Sequence, residues 1–383
     1  MMSFSRLLIC SAFASASLSF SAPAQTGKID QLVRPAHTSQ ARIQIALLLD
    51  TSNSMDGLIV QAKSQLWMLV NELAEGKKYG KSPEIELALY EYGNSNISVA
   101  KGYVRQVLPL TTDLDAVSEK LFSLKTNGGQ EYAGQVIDTA LSELEWSGAQ
   151  DDMKLVIIAG NEPFTQGPIN FETACARARR SGIIIDTIHC GSEEDGVSGK
   201  WKAGADCAGG LFMTINQDEQ VVHIPSPYDD ALLELNQKLN KTYMGYGVLG
   251  DEAKERQIAQ DSNAGSMSVS TQLNRVRSKA SSAYKNEAWD LVDAYDADKK
   301  TVMELSEEEL PEELKGLDNE KRAAFIEGKK QEREAVQTEI SDLEKKRDAF
   351  LKDKRKEMAE TKTLDNVMVD AVRKQALENG FSY

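Results

Sequence analysis

Ile43-Gln44-Ile45-Ala46-Leu47-Leu48-Leu49-Asp50-Thr51-Ser52-Asn53-Ser54 decides the fold. From Ile43 to Leu49 there is no Gly, Pro or charge. A short apolar run bounded by polar turn residues is the pattern of a fully buried central strand. Residues 58–70 then read Leu-Ile-Val-Gln-Ala-Lys-Ser-Gln-Leu-Trp-Met-Leu-Val, with apolar positions at helical spacing. One carboxylate and two hydroxyls, from Asp50, Ser52 and Ser54, therefore sit on a strand-to-helix turn. Ligands of open α/β sheets collect at the carboxyl ends of strands. Hard oxygens at i, i+2 and i+4 lie within reach of one small cation, and Mg²⁺ prefers such ligands. The plainer alternative is a polar turn in which Ser52 or Ser54 caps the helix.

The chain beyond this turn keeps alternating strand and helix. Residues 84–92 form a second strand, 93–96 a turn, and 103–108 a returning strand that Pro109 stops, which makes a hairpin with an antiparallel edge. Helical patterns cover 113–124 and 131–146. Met153-Lys154-Leu155-Val156-Ile157-Ile158-Ala159 is another central strand, followed by a helix over 171–181 and strands over 183–189 and 211–216. Pro227-Tyr228-Asp229 opens one more helix. The pattern predicts an α/β fold: a doubly wound, mostly parallel sheet with one antiparallel edge strand, covered on both faces.

Asp50-x-Ser52-x-Ser54 in this setting resembles the opening motif of the von Willebrand factor type A domain. The order of elements is similar over the region assigned to that domain, residues 42–246. The resemblance implies a metal-ion-dependent adhesion site that holds Mg²⁺, or Mn²⁺ or Ca²⁺, and whose coordination a carboxylate of a protein partner completes. It also implies two further loops. The family's second motif is a Thr after a Gly-Gly pair; in Thr126-Asn127-Gly128-Gly129-Gln130-Glu131, Gln130 holds that position with Glu131 beside it. The third is an Asp at the end of the middle strand; in Ala159-Gly160-Asn161-Glu162-Pro163-Phe164, Gly160 holds that position, and Asn161 and Glu162 are the candidates to replace the acid. The expected ligand set of this modified site is Asp50, Ser52, Ser54, Gln130, Glu131 and Glu162. A Gly-Gly loop has the freedom to bring a carboxylate inward; the same acids also suit the N-terminus of the helix that follows. The segment 159–164 is similar to that of a subset of exported bacterial type A proteins with a helical C-terminal region.

Residues 1–24 read as a secretory signal peptide. Arg6 supplies the positive region, 7–20 an apolar core, and Ala22-Pro23-Ala24 a small-x-small cleavage site before Gln25. A periplasmic or secreted location follows, with residues 25–41 as a leader. No later run of apolar residues is long enough to span a bilayer, so no membrane insertion is expected. The net charge of −15 over 383 residues argues against nucleic acid and against anionic lipid as partners. Past the signal peptide three cysteines remain, enough for one disulfide and one free thiol. Cys175 and Cys190 fall near one end of the sheet, Cys190 and Cys207 would close a loop, and three buried thiols are a further alternative; the sequence does not choose.

Residues 247–383 form a separate helical region in this reading. Residues 262–268, rich in Ser, Asn and Gly, look like a loop, and 270–293 like a helix. Residues 319–361 are mostly Lys, Glu, Arg and Asp, with Val336, Ile340, Leu343 and Phe350 as a narrow stripe that Arg347 interrupts. A helical hairpin or short coiled coil fits, offering a seam for an oligomer; a solvated charged helix is the bland alternative. Met368, Val369, Val372, Ala376 and Leu377 mark a last amphipathic helix, stopped by Gly380.

Little points to catalysis. Gly76-Lys77-Lys78-Tyr79-Gly80-Lys81-Ser82 is one residue short of a phosphate loop and follows a helix. His37, His189 and His223 belong to no metal-binding spacing, and there is no Gly-x-Ser-x-Gly elbow. Trp201 is expected in a loop at the ligand edge, as a packed residue or a binding anchor. The sequence thus predicts a non-enzymatic, exported protein-binding module of the adhesion type. The alternatives are a metal-free envelope scaffold on the same fold, and a hydrolase whose residues are not recognised.

Overall fold

The computed structural model describes residues 40–216, 223–357 and 364–383. The expected signal peptide and nearly all of the leader lie outside them. Strand β1 (Arg42–Asp50) is buried from its second residue to its last. It lies between β2 (Glu84–Tyr92) and β4 (Met153–Gly160) and runs parallel to both. Between those two in sequence comes β3 (Val104–Thr111), antiparallel to β2 at the edge. With β5 (Ile184–Cys190) and β6 (Phe212–Ile215), the sheet order is β3-β2-β1-β4-β5-β6. After β1 the chain winds outward to β2 and β3, then crosses back to β4. The strand order therefore reverses between β1 and β4, and their carboxyl ends flank the crevice where such folds bind ligands.

Alternate residues of β1 supply two cores. Ile43, Ile45, Leu47 and Leu49 belong to one, Ala46 and Leu48 to the other. On the first face lie α1 (Asp56–Glu75) and α2 (Leu114–Ser123). The second face is covered by α3 (Ala133–Glu143), α4 (Phe171–Arg180) and the start of α6 (Trp201–Asp206), which follows the short α5 (Glu193–Ser198). Next come α7 (Asp229–Asn240), α8 (Gly250–Met267), α9 (Val269–Ala280), α10 (Leu291–Ala297), α11 (Lys299–Met303), α12 (Asn319–Glu357) and α13 (Leu364–Glu378). Several of these extend the first core: Leu235 and Leu239 of α7, Leu273 and Val276 of α9, Val336 and Ile340 of α12, and Val372 and Ala376 of α13 join the apolar cluster of β1. Met244, Leu291, Tyr295, Leu314 and Ile326 form a further small core.

Three local expectations are corrected, and the open cysteine pairing is decided. Pro109 does not stop its strand, because β3 is an edge strand, where a missing N–H costs no ladder bond. Residues 262–268 are helix almost to their end, because the Ser262 and Ser266 hydroxyls bond back to the Ile258 and Asn263 carbonyls while Ala264 is buried. The helix expected over 270–293 breaks after Ala280, where Ser281 turns extended and bonds the Ser278 carbonyl through both its N–H and its hydroxyl. Cys190 is buried and free, and the disulfide joins Cys175 to Cys207. The reason is the strand's two faces: Cys190 points into the first core, whereas Cys175 and Cys207 pack in the second.

The stripe on α12 packs inward. Ile340 is fully buried, Val336 nearly so, and Leu343 lies against the first core. Arg347, which interrupts the stripe, donates to Asp229 at the start of α7 over 3.0 Å. Leu343→Asp sets a carboxylate into this apolar seam and is expected to lower stability by about 2 kcal/mol with no change in sedimentation. An unchanged denaturant midpoint would mean that the stripe contributes nothing to the fold.

Candidate metal centre

β1 ends on Asp50, which is completely buried. The backbone beyond it ties three loops together. Thr51 N–H donates to the Tyr92 carbonyl and Asn127 N–H to the Thr51 carbonyl, each over 2.9 Å. The Asn94 side-chain amide donates to the Lys125 carbonyl, also over 2.9 Å. Within the turn, Ser52 N–H donates to Asp50 Oδ1 over 2.8 Å, and the Ser52 and Ser54 hydroxyls lie 3.2 Å apart. Neither hydroxyl caps α1, which opens on Met55 with no side-chain cap. The Asn161 amide, from the loop after β4, donates to Ser54 Oγ over 3.1 Å.

Asp50 Oδ2 is buried and has no hydrogen-bond partner. Burial is the main cause that raises this carboxyl to about 7; the Ser52 N–H and hydroxyl oppose it, and the charges of Glu131 and Glu162 add to it. Glu131 is itself raised, by burial and by Glu162, and held down in part by the Ser52 hydroxyl. A desolvated carboxylate oxygen without a donor is costly. The cost falls if the group is protonated or if it meets a cation.

The second loop is placed by two glycines. Gly93 has φ +78°, and a Cβ there would sit 2.7 Å from Asp50 Oδ1 and 3.0 Å from Glu131 Cγ. A Cβ on Gly129 would stand 2.2 Å from the Gly93 carbonyl oxygen. The two turns interlock, and Glu131 precedes α3 beside Asp50. Gln130 is exposed, and Thr126 bonds Asp56 through its hydroxyl.

The third loop departs from the family pattern for a steric reason. Tyr92 Oη donates to the Ala159 carbonyl over 3.0 Å. A Cβ on Gly160 would lie 2.5 Å from that hydroxyl and 3.1 Å from Asp50 Oδ2. Tyr92 thus occupies the room an Asp side chain would need. Glu162 acts on Asp50 and Glu131 through its charge, while its carboxylate accepts from Gln166 over 3.0 Å.

The structure therefore brings together Asp50, Ser52, Ser54, Glu131 and Asn161, with Glu162 as an electrostatic neighbour and Gln130 turned to solvent. Among the described residues no group of three or more His, Cys, Asp or Glu is arranged to hold a metal. The donor set nevertheless fits a hard cation: a buried carboxylate oxygen lacking a partner, two adjacent hydroxyls and a second acid. Two participants escaped the sequence reading. Tyr92 and Glu91 end β2 and are both buried, and Glu91 accepts from Thr51 Oγ1 over 3.3 Å and pairs with Arg105. An acid near the end of a buried strand was their only signal.

A family model described as the von Willebrand factor type A domain matches residues 44–201. Among curated proteins none matches the chain. Similar solved structures include the SpRpn10 VWA domain, at 17% identity and TM-score 0.36, covering 47% of this chain and 91% of that one. Another is the conserved hypothetical protein BatB from Bacteroides thetaiotaomicron, at 17% identity and TM-score 0.35, covering 45% and 90%. A third is a von Willebrand factor type A protein from Catenulispora acidiphila, at 16% identity and TM-score 0.35, covering 47% and 39%.

Proposed function

We propose, from the premise that residues 44–201 are a von Willebrand factor type A domain, that the chain is an exported, non-enzymatic protein-binding module with a modified metal-ion-dependent adhesion site. Asp50, Ser52 and Ser54 hold Mg²⁺, Mn²⁺ or Ca²⁺, Glu131 supplies a second negative charge, and a carboxylate of the partner completes the coordination. The observation that carries this reading is Asp50 Oδ2, a buried carboxylate oxygen without a donor at the point where the strand order reverses. Residues 1–24 support export, and the disulfide Cys175–Cys207 suits an oxidising compartment. No helix among the described residues is long and apolar enough to cross a membrane. A second reading, a metal-free scaffold, draws on Tyr92 filling the place of the family's third acid.

Calorimetric titration of the full chain with MgCl₂, MnCl₂ and CaCl₂ separates the two. Saturable heat is expected with at least one of them. Glu131→Gln should weaken the affinity about tenfold, the loss of roughly 1.4 kcal/mol of charge interaction. Glu162→Gln should change it less, because that carboxylate is engaged with Gln166. No heat at millimolar concentrations of all three cations would favour the scaffold.

A further inference from the structure

Asp186, the third residue of β5, shares the first face of the sheet with Ile184 and Ile188 and is completely buried. Its Oδ1 accepts from Leu211 N–H over 2.7 Å and from the Gln375 side-chain amide of α13 over 3.3 Å. Its Oδ2 is buried and has no hydrogen-bond partner. The proposed adhesion site makes no use of this carboxyl.

Three elements surround it. On β4 its partner in register is the uncharged Ile157. The turn before β6 closes one side, where a Cβ on Gly210 would stand 2.8 Å from Asp186 Oδ1. The third element, α13, lies over the face through Gln375, which is 1% exposed, while Met368, Ala371, Val372 and Ala376 join the first core. The charged groups of α13 that act on Asp186 are Lys374 and Glu378, which oppose each other. Glu72 of α1, the neighbouring helix, is taken by Arg373 of α13. A buried carboxyl with one oxygen lacking a donor favours its uncharged form, and burial raises this one to about 7. Lifting α13 admits water and restores an ordinary carboxylate, so proton binding and helix docking are linked.

We propose that α13 is a proton-linked strap, docked most tightly while Asp186 is uncharged and loosened from the sheet when that carboxylate ionises. The docked state holds a proton that the open state releases. Docking is therefore strongest below the ordinary carboxylate range and weakens as pH rises through about 7. Amide hydrogen exchange of the full chain, followed by mass spectrometry between about pH 5 and pH 8, tests this. Protection is normalised to the intrinsic exchange rate at each pH, and α13 is compared with α4 on the opposite face. The protection of α13 relative to α4 is expected to fall at least about tenfold across the range. In Asp186→Asn the ratio should stay flat, even if protection is lower throughout. Gln375→Met leaves Asp186 to titrate but removes a donor that favours the ionised form, so the fall should move to higher pH. A flat wild-type ratio, an equal fall in Asp186→Asn, or an unmoved fall in Gln375→Met would overturn the proposal.

Discussion

Arg275→Met is expected to lower the stability of the chain by about 3 kcal/mol or more, within the range for breaking a buried ion pair. Arg275 on α9 is 1% exposed. Its guanidinium donates to Asp115 of α2 over 2.7 Å, to the Gln257 carbonyl of α8 over 2.9 Å and to Asp261. It also lies 4.6 Å from the centre of the Trp67 ring on α1. Four helices therefore meet on one side chain. Methionine fills much of the volume but leaves Asp115 to Tyr284 alone, and Asp261 to Lys279 and two asparagine amides. The loss is the desolvation of Asp115, whose counter-ion is gone, and of Asp261, which keeps Lys279 alone as counter-ion. Arg275→Lys keeps a charge without the fork that serves three acceptors at once, so it should recover only part of the loss. Because the network joins α1 and α2 to α8 and α9, wild-type unfolding should be a single transition by circular dichroism and by tryptophan fluorescence. A loss below about 1 kcal/mol, or two separate transitions, would mean that the C-terminal helices merely rest on the sheet domain.

The same network shows where sequence reasoning runs out. Parallel strands buried on both faces are continuous apolar runs, so β1 and β4 were legible at once, and Asp50, Ser52 and Ser54 followed from their place at a strand end. Charged residues carry no such mark. Nothing in the sequence singles out Arg275 and Lys279, yet both are buried, because their partners come from helices 14 to 160 residues away in sequence. Residues 319–361 read as a thin coiled-coil stripe because the apolar surface that α12 packs against belongs to α7 and α9. At the candidate site, the choice between Gln130 and Glu131 depends on Gly129 pressing against Gly93, a contact between two loops. The missing third acid has its cause in Tyr92, two strands away in sequence and next to Gly160 in space. The motif pointed to the candidate site, and the contacts between loops determine which residues face it.

Asp50→Asn should abolish cation-dependent stabilisation and also flatten part of the pH dependence of the cation-free protein. The folded carboxyl is raised from 3.8 to about 7, chiefly by burial. Between about pH 4 and pH 7 the native state holds a proton that the unfolded chain has released. The contribution of this group is therefore fully present below the unfolded pKa and declines as pH rises through that window. Asparagine does not titrate, so the variant should lose less stability between pH 4 and pH 8 than wild type. Asp186 and Glu344 are also raised to about 7 by burial, so the informative quantity is the difference between wild type and variant, in which their common contributions cancel. On the proposed reading a cation reverses the sign for wild type, because it would bind the ionised carboxylate and compete with the proton. Its stabilisation should grow as pH rises through 7, reaching about 2.7 kcal/mol at a free concentration one hundred times Kd, and should be absent in Asp50→Asn at every pH. Denaturant melts of both proteins at several pH values, with and without MgCl₂ or MnCl₂, measure all of these differences. Parallel pH curves and no cation response in either protein would remove the adhesion site and leave the fold intact, since the fold rests on strand order and core packing.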